Sequence, residues 1–181
     1  TRALSAARAR QLVGMPAGES VVEFRDRAIL KFYLYSGARI ATGCKLKVSD
    51  FVQDGDEASI RFQLKGGRIK TKGLHYQAAQ AIQEYIERAG IESGPLFRPR
   101  SSSKGDVLSE RRMTERAMNN LIMAYLERLP GANQEVQLRT GEKIFQCVYS
   151  PHSLRATTAT LLLDSGVAIE AVQDLLDHKH I

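Results

Sequence analysis

The feature that most restricts the fold of this chain is one strand-turn-strand signal set among segments of helical periodicity. In residues 59–64, with sequence SIRFQL, apolar and polar side chains alternate, which is typical of a half-buried β-strand. Lys65-Gly66-Gly67 is a strong hairpin-turn signal, and residues 68–74 return as a more polar strand. The pattern predicts a small antiparallel sheet inside an otherwise helical domain.

Apolar residues elsewhere recur at helical spacing, and glycine or proline separates the periodic segments. Gly37 follows one such segment and is expected to end it. The periodicity places Ala124 and Ile169 on core-facing sides of their helices. Residues 51–55 are expected to turn the chain, and residues 132–141 give no clear prediction. The predicted helices span residues 4–12, 22–36, a segment that opens at Arg39, 76–89, 109–129, 153–164 and 168–177, and residues 143–149 are predicted as a short strand or an extended lead-in.

These patterns predict one domain, residues 1–181, that is mainly α with a small antiparallel β-sheet (α+β). Its 181 residues can bury a sizeable core, and an apolar fraction of 43% is ordinary for a globular protein. Two cysteines without metal-ligand spacing exclude a disulfide framework, and the cytoplasm is the default compartment. The sequence contains no apolar run long enough for a membrane span, no Walker A loop and no GxGxxG motif.

The predicted hairpin is rich in basic residues. Lys65, Arg68, Lys70 and Lys72 lie within eight residues that contain no acid, and Arg61 lies on the preceding strand. Such a ribbon suits contact with a nucleic-acid phosphate backbone, and the net charge of +6 is consistent with a polyanionic partner. A charged edge that discourages sheet aggregation is an equally good interpretation of the hairpin alone.

The closing stretch, residues 151–181, brings an arginine and two histidines together. His152 and Arg155 lie three residues apart, so they share one face if the segment is helical, and His178 follows after a second helical segment. An arginine and two histidines can bind a phosphate and move protons around it. Arg39, which follows Gly37, could join such a site, although spacing alone favours a solvated surface arginine.

Three segments resemble the tyrosine recombinases of the phage-integrase family. GARIATGCKLKVSDF, from Gly37, is similar to the first arginine box of that family. LKGGRIKTKGLHYQAAQAIQEYI, from Leu64, is similar to its lysine-bearing β-turn and following helix. HSLRATTATLLLDSGVAIEAVQDLLDHKHI, from His152, resembles its His-x-x-Arg box and the box that ends in a histidine. The resemblance runs from about residue 4 to residue 181 and implies the catalytic-domain fold of these DNA breaking-rejoining enzymes.

The resemblance also implies a role for each site residue. Arg39 and Arg155 would grip the scissile phosphate, and His178 would hydrogen-bond to it. Lys65 would protonate the leaving 5′-oxygen, with His152 as general acid or base beside it. The basic composition of the hairpin, and not the resemblance, is the reason to expect Arg61, Arg68, Lys70 and Lys72 to bind the DNA backbone, and no cofactor or metal is expected.

Phosphodiester exchange independently calls for these residue types. The transition state carries extra negative charge on the non-bridging oxygens, which planar guanidinium groups match better than lysine does. A 5′-alkoxide is a poor leaving group, so a proton donor matters. Covalent capture on a tyrosine keeps the bond energy, so rejoining needs neither ATP nor metal.

The chain departs from the family pattern at several positions. Thr42 stands where the family usually has Glu, Ala156 where it often has His, and Asp177 where it usually has Gly. Family spacing puts the nucleophilic tyrosine several residues beyond His178, past Ile181, so we expect this fragment to bind DNA without cleaving it. The N-terminal core-binding domain of the family is also expected to be missing. The six tyrosines outside the expected box are Tyr33, Tyr35, Tyr76, Tyr85, Tyr125 and Tyr149.

The prediction from sequence is therefore the catalytic domain of a site-specific DNA recombinase or integrase. The alternative is a non-catalytic DNA-binding module or a degenerate integrase that has lost its nucleophile. A type IB topoisomerase would share the chemistry, and a purely structural helical protein would leave the His152 and Arg155 pattern unexplained. The expected partners are double-stranded DNA and, in a full-length protein, three further copies in a homotetramer, whereas the isolated fragment could be a monomer.

Overall fold

The computed structural model describes residues 1–176 of the chain. Its α-helices are α1 (Ala6–Gly14), α2 (Val21–Ser36), α3 (Ile40–Lys45), α4 (Tyr76–Ala89), α5 (Glu115–Leu126), α6 (His152–Asp164) and α7 (Ile169–Leu176). Its strands are β1 (Phe51–Asp54), β2 (Glu57–Gln63), β3 (Ile69–Gly73), β4 (Asn133–Gln137) and β5 (Lys143–Cys147). The predicted class, mainly α with a small antiparallel β-sheet, is confirmed, and the described residues form a second small sheet as well.

Three antiparallel strands form the main sheet, in the order β1-β2-β3. The predicted pair is β2 and β3, with Ile60 opposite Lys72 and Phe62 opposite Lys70. The prediction of a simple turn at residues 51–55 was wrong, because residues 51–54 form β1 and pair with β2, and the turn falls at Gly55. β1 is four residues long and almost fully exposed, so it shows little apolar alternation, and its partner strand stabilises it.

A second, two-stranded sheet covers the region that gave no clear prediction. β4 and β5 are antiparallel, with Val136 opposite Ile144. Both strands are largely exposed, so no buried face imposes an apolar alternation on their sequence. Of the two options for residues 143–149, the strand is the one observed, over residues 143–147.

Helix α5 is shorter than the predicted helix over residues 109–129. Thr114 ends the preceding extended segment and caps the helix, because its hydroxyl accepts a hydrogen bond from the Ala117 amide at 3.1 Å. Just before the cap, the Met113 amide donates to the Phe97 carbonyl at 3.0 Å, so this backbone is bonded outside the helix. Two side chains predicted to be buried are exposed, Ala124 on α5 and Ile169 at the first turn of α7.

Helix α2 lies at the centre of the core. Ala28, Ile29, Leu30 and Phe32 have no exposed surface, and α1, α4 and α6 all pack against this helix. A helix that is apolar on most sides belongs in the interior, with other elements arranged around it. Within residues 1–176, no helix combines the length and the apolar character needed to cross a bilayer.

A buried polar cluster joins α2 to α5. The Arg25 guanidinium donates to the Asp26 carboxylate at 2.9 and 3.0 Å, and Tyr125 donates its hydroxyl proton to the other oxygen of that carboxylate at 2.5 Å. Arg25 also donates to the Arg98 carbonyl at 3.0 Å. The ion pair is nearly fully buried, and the added hydrogen bonds satisfy both charges.

Candidate active site

Arg39 lies at the sharp turn between α2 and α3. Gly37 ends α2 in the left-handed conformation, with φ of 66°, and Arg39 occupies the N-cap position of α3. The Tyr33 hydroxyl donates to the Ile40 carbonyl at 2.9 Å, which ties α3 back to α2. A Cβ at Gly43 would lie 2.0 Å from the Tyr33 hydroxyl oxygen, so only glycine allows this close packing. The half-buried Arg39 side chain therefore projects from a tightly specified turn.

Helix α6 brings Arg155 to that same turn. The Arg155 Nη1 donates to the Gly37 carbonyl at 2.6 Å, and its Nη2 donates to the carbonyl of Leu176 at the end of α7. On the next turn, the Thr158 hydroxyl contacts the Leu34 carbonyl at 2.5 Å and so fixes α6 against α2. Arg155 thus joins α7 to the α2–α3 turn at Gly37, which lies two residues before Arg39 in the chain.

His152 is the first residue of α6 and is exposed. It lies three residues before the half-buried Arg155, so in this helix the two residues share one face, as the spacing predicted. His178 lies outside the residues that the structure describes.

Lys65 stands at the tip of the β2–β3 hairpin. It opens a 3-10 turn, Lys65–Gly67, in which Gly66 and Gly67 have φ of 78° and 75°. Lys65 and Arg68 are both exposed there. The structure therefore places Lys65 at an exposed hairpin tip, outside the contacts that join Arg155 to Gly37 and Leu176.

The basic side chains of the hairpin do not form one continuous ribbon. Because side chains alternate across a strand, Lys70 and Lys72 share the face of the buried Ile60 and Phe62, and Arg61 points to the other face. Lys72 donates to the carbonyl of Leu175 in α7. On the opposite face, the Arg61 Nη2 contacts the Ser49 carbonyl at 2.5 Å. The predicted DNA-binding set is therefore divided between two faces and the tip.

Four of the six tyrosines are buried, at 0% to 8% exposure: Tyr33, Tyr85, Tyr125 and Tyr149. Burial raises the pKa of Tyr85 to about 12, and it raises the pKa of Tyr33 and Tyr125 further. The other two, Tyr35 and Tyr76, both stack on His75, with ring centroids 4.2 and 4.7 Å from the centroid of the His75 ring. A buried phenol with a raised pKa is a poor nucleophile and cannot reach a DNA phosphate.

Cys44 lies on the buried side of α3, and burial raises the pKa of its thiol. A buried thiol of this kind packs in the core and is a poor nucleophile. Across residues 1–176, no three side chains of His, Cys, Asp or Glu are grouped so as to hold a metal ion.

Sequence reasoning missed the contacts that organise this site. The acceptors for Arg155 and Lys72 are backbone carbonyls of Gly37, Leu175 and Leu176, which no side-chain pattern reveals. The only available signal was Gly37 itself, interpreted as the end of a helix. Its role at the site follows from packing: a Cβ there would lie 2.3 Å from the Leu176 Cδ2.

Comparison with known proteins shows which protein family the chain belongs to. A sequence model of the Phage integrase family matches residues 2–181, and the chain belongs to this family. The resemblance to tyrosine recombinases is therefore confirmed.

The chain is 30% identical over 175 residues to tyrosine recombinase XerC of Pelobacter propionicus, a match that covers 96% of this chain and 50% of that protein. It is also 30% identical over 174 residues to XerC of Halalkalibacterium halodurans, covering 94% of this chain and 52% of the relative. The chain thus spans about half the length of the relatives that it matches.

Solved structures show the same fold. A crystal structure of XerA recombinase superposes with a TM-score of 0.71 at 21% identity, covering 98% of this chain and 56% of that one. The lambda integrase catalytic core superposes with a TM-score of 0.64 at 17% identity, covering 98% of this chain and 92% of that one.

Proposed function

We propose that this chain is the catalytic domain of a site-specific DNA recombinase, which cleaves and rejoins DNA strands through a 3′-phosphotyrosyl intermediate. The observation that carries the proposal is the hydrogen bond from Arg155 to the Gly37 carbonyl, because it assembles the two arginine boxes around one turn. Family membership over residues 2–181 and the XerC relatives support the same activity.

Arg39 and Arg155 would stabilise the charge that develops on the phosphate. A guanidinium has five N–H donors, so it can be held by backbone carbonyls and bind phosphate oxygens at the same time. The contacts of Arg155 with Gly37 and Leu176 orient its plane before DNA arrives. Donors fixed in advance cost no reorganisation during the reaction, and for this reason such electrostatic stabilisation contributes more to the rate of many enzymes than any other effect.

Lys65 and His152 are proposed to transfer protons, and His178 is proposed to bind the phosphate. Lys65, at the exposed tip of a glycine-rich turn, would enter a groove of bound DNA and protonate the leaving 5′-oxygen. His152 at the start of α6 would serve as general acid or base, and His178 would hydrogen-bond to the phosphate. Four further basic residues are proposed to contact the DNA backbone or to stabilise the hairpin: Arg61, Arg68, Lys70 and Lys72.

The attacking tyrosine is proposed to be none of the six present. Burial of Tyr33, Tyr85, Tyr125 and Tyr149, and the stacking of Tyr35 and Tyr76 on His75, support this assignment. By the family spacing of the boxes, the residue would lie after Ile181. The full-length protein is proposed to act as a homotetramer on two double-stranded DNA sites, in the cytoplasm or nucleoid of a bacterium.

The test is covalent capture of DNA by a form of the protein that carries the native sequence after Ile181. A nicked suicide substrate releases a short fragment after cleavage, so the protein-DNA adduct accumulates and is counted on a denaturing gel. An adduct that disappears in Arg155→Ala supports the proposal. Tight DNA binding without any adduct would favour a non-catalytic DNA-binding module. An adduct with supercoil relaxation but no two-site recombination would favour a type IB topoisomerase.

A further inference from the structure

Two cations from different parts of the fold hold the carboxyl end of α7. The Lys72 Nζ donates to the Leu175 carbonyl, and the Arg155 Nη2 donates to the Leu176 carbonyl. Leu175 and Leu176 are the last two residues of α7 that the structure describes. Two positive charges, one from the hairpin and one from α6, are therefore bonded to consecutive carbonyls of α7.

Lys72 is directed to this helix end by the hairpin itself. It lies opposite the buried Ile60 in the β2–β3 register, and its ammonium group is 5.5 Å from the centre of the Phe62 ring. The side chain is half-buried, unlike that of Arg68 before the same strand, which is exposed. An ammonium held over an aromatic face and bonded to a carbonyl has a defined position.

We propose that Lys72 is a positioning residue, which docks the carboxyl end of α7 on the β2–β3 hairpin. A continuous path of contacts then runs from the hairpin through α7 and Arg155 to the Gly37 turn that carries Arg39. Its importance for catalysis rests on the proposed function, because Lys65 on this hairpin is the proton donor only in that reaction. The competing role for Lys72 is a direct contact with a DNA phosphate, as its place in a basic hairpin suggests.

Two measurements on the full chain separate these roles. The first is amide hydrogen exchange of the α7 segment, Ile169–Leu176. The second is the dependence of DNA affinity on salt, measured with a double-stranded oligonucleotide. Lys72→Met keeps an apolar stem over Phe62 and removes the ammonium group. Arg68→Gln is the matched control, since it removes one positive charge from the same hairpin at an exposed position.

Lys72→Met is expected to speed amide hydrogen exchange in the last described turn of α7 by roughly tenfold, because it removes one hydrogen bond from a charged donor. It should leave the slope of log affinity against log salt unchanged. Arg68→Gln should leave α7 exchange unchanged and make that slope shallower by about one. Lys72→Arg, which keeps a cationic donor, is expected to restore protection of α7.

Unchanged α7 exchange in Lys72→Met would overturn the proposal, as would a salt slope lowered as much as in Arg68→Gln. Lys72→Arg that exchanges as fast as Lys72→Met would also overturn it, because a cation at this position would then not protect the helix end. Lys72→Gln replaces Lys72→Met with the same expectations if the methionine variant does not fold. A wild-type chain that does not bind DNA would contradict the proposed function, and the exchange result would still decide the role of Lys72.

Discussion

The guanidinium of Arg155 donates a hydrogen bond to the backbone carbonyl of Gly37, with 2.6 Å between Nη1 and oxygen. The acceptor belongs to the backbone, so its position depends on the turn and not on a second side chain. The same guanidinium contacts the Leu176 carbonyl. Arg155 on α6 therefore fixes the positions of α7 and of the α2–α3 turn relative to α6. Changes at either partner should therefore affect both the architecture and the proposed chemistry.

Arg155→Lys is expected to lower the rate of adduct formation by about 10²- to 10³-fold in a form that contains the nucleophile. A lysine ammonium is a compact charge without the planar fork, so it cannot bridge two carbonyls and face a phosphate in the same way. Arg116→Lys, the same change at an exposed position on α5, is the control. Equal rates for the two variants would remove Arg155 from the proposed catalytic set.

Gly37→Ala is expected to destabilise the fold more than Gly90→Ala. Both glycines end helices in the left-handed region, with φ of 66° and 65°, where an added Cβ costs about 1–2 kcal/mol. A Cβ at Gly90 meets no atom within 4 Å, whereas at Gly37 it would lie 2.3 Å from the Leu176 Cδ2. Urea unfolding of both variants measures the difference, and equal losses would show that α7 moves aside at no cost.

Lys65→Ala is expected to abolish cleavage of an ordinary substrate and to retain cleavage of one with sulfur in place of the 5′-bridging oxygen. A thiolate leaves without protonation, so this substrate does not need the general acid. The same experiment on Lys70→Ala and Lys72→Ala assigns the donor among the three lysines. If the sulfur substrate restores cleavage in Lys70→Ala or Lys72→Ala, and not in Lys65→Ala, the proton donor is the lysine that was changed in the rescued variant.

Tyr125→Phe is expected to cost about 1.5–3 kcal/mol of unfolding free energy, because it removes a buried hydrogen bond to the Asp26 carboxylate. Asp26→Ala should cost more, about 3–5 kcal/mol, since it leaves the Arg25 charge buried without its carboxylate. Chemical denaturation checks both values. If Asp26→Ala costs no more than Tyr125→Phe, water must reach Arg25.

His75 should make the fold less stable as pH falls below its ordinary pKa of 6.5. Burial lowers the pKa of His75 in the folded chain, so its contribution is complete above pH 6.5 and is lost as pH falls through the lower folded value. Protonation would also end its capping role, since the His75 Nδ1 accepts the Gln77 amide proton at 3.1 Å.

His75→Asn supplies the control, because asparagine is a good helix cap at every pH. The difference in unfolding midpoint between wild type and His75→Asn should grow as pH is lowered from neutrality through this window. A difference that stays constant would show that His75 does not titrate in the folded chain.

Much of this protein was determined by its sequence alone. Helical periodicity, the alternation of SIRFQL and the glycine turn after it are local signals, and they predicted α2, α4, α6 and the β2–β3 hairpin. The boxes that contain Arg39, Lys65, His152 and Arg155 identified the family, because residue type and spacing are visible in the sequence without knowledge of the fold.

Only the tertiary structure decided how these parts meet. β1 and β4 are short and exposed, so they have no alternation and exist because a partner strand pairs with them. The start of α5 was set by the Thr114 cap and by an extended segment bonded to Phe97. The joining of Arg155 and Lys72 to carbonyls of Gly37, Leu176 and Leu175 is invisible in sequence, since every residue carries a carbonyl and only packing selects which one a cation reaches.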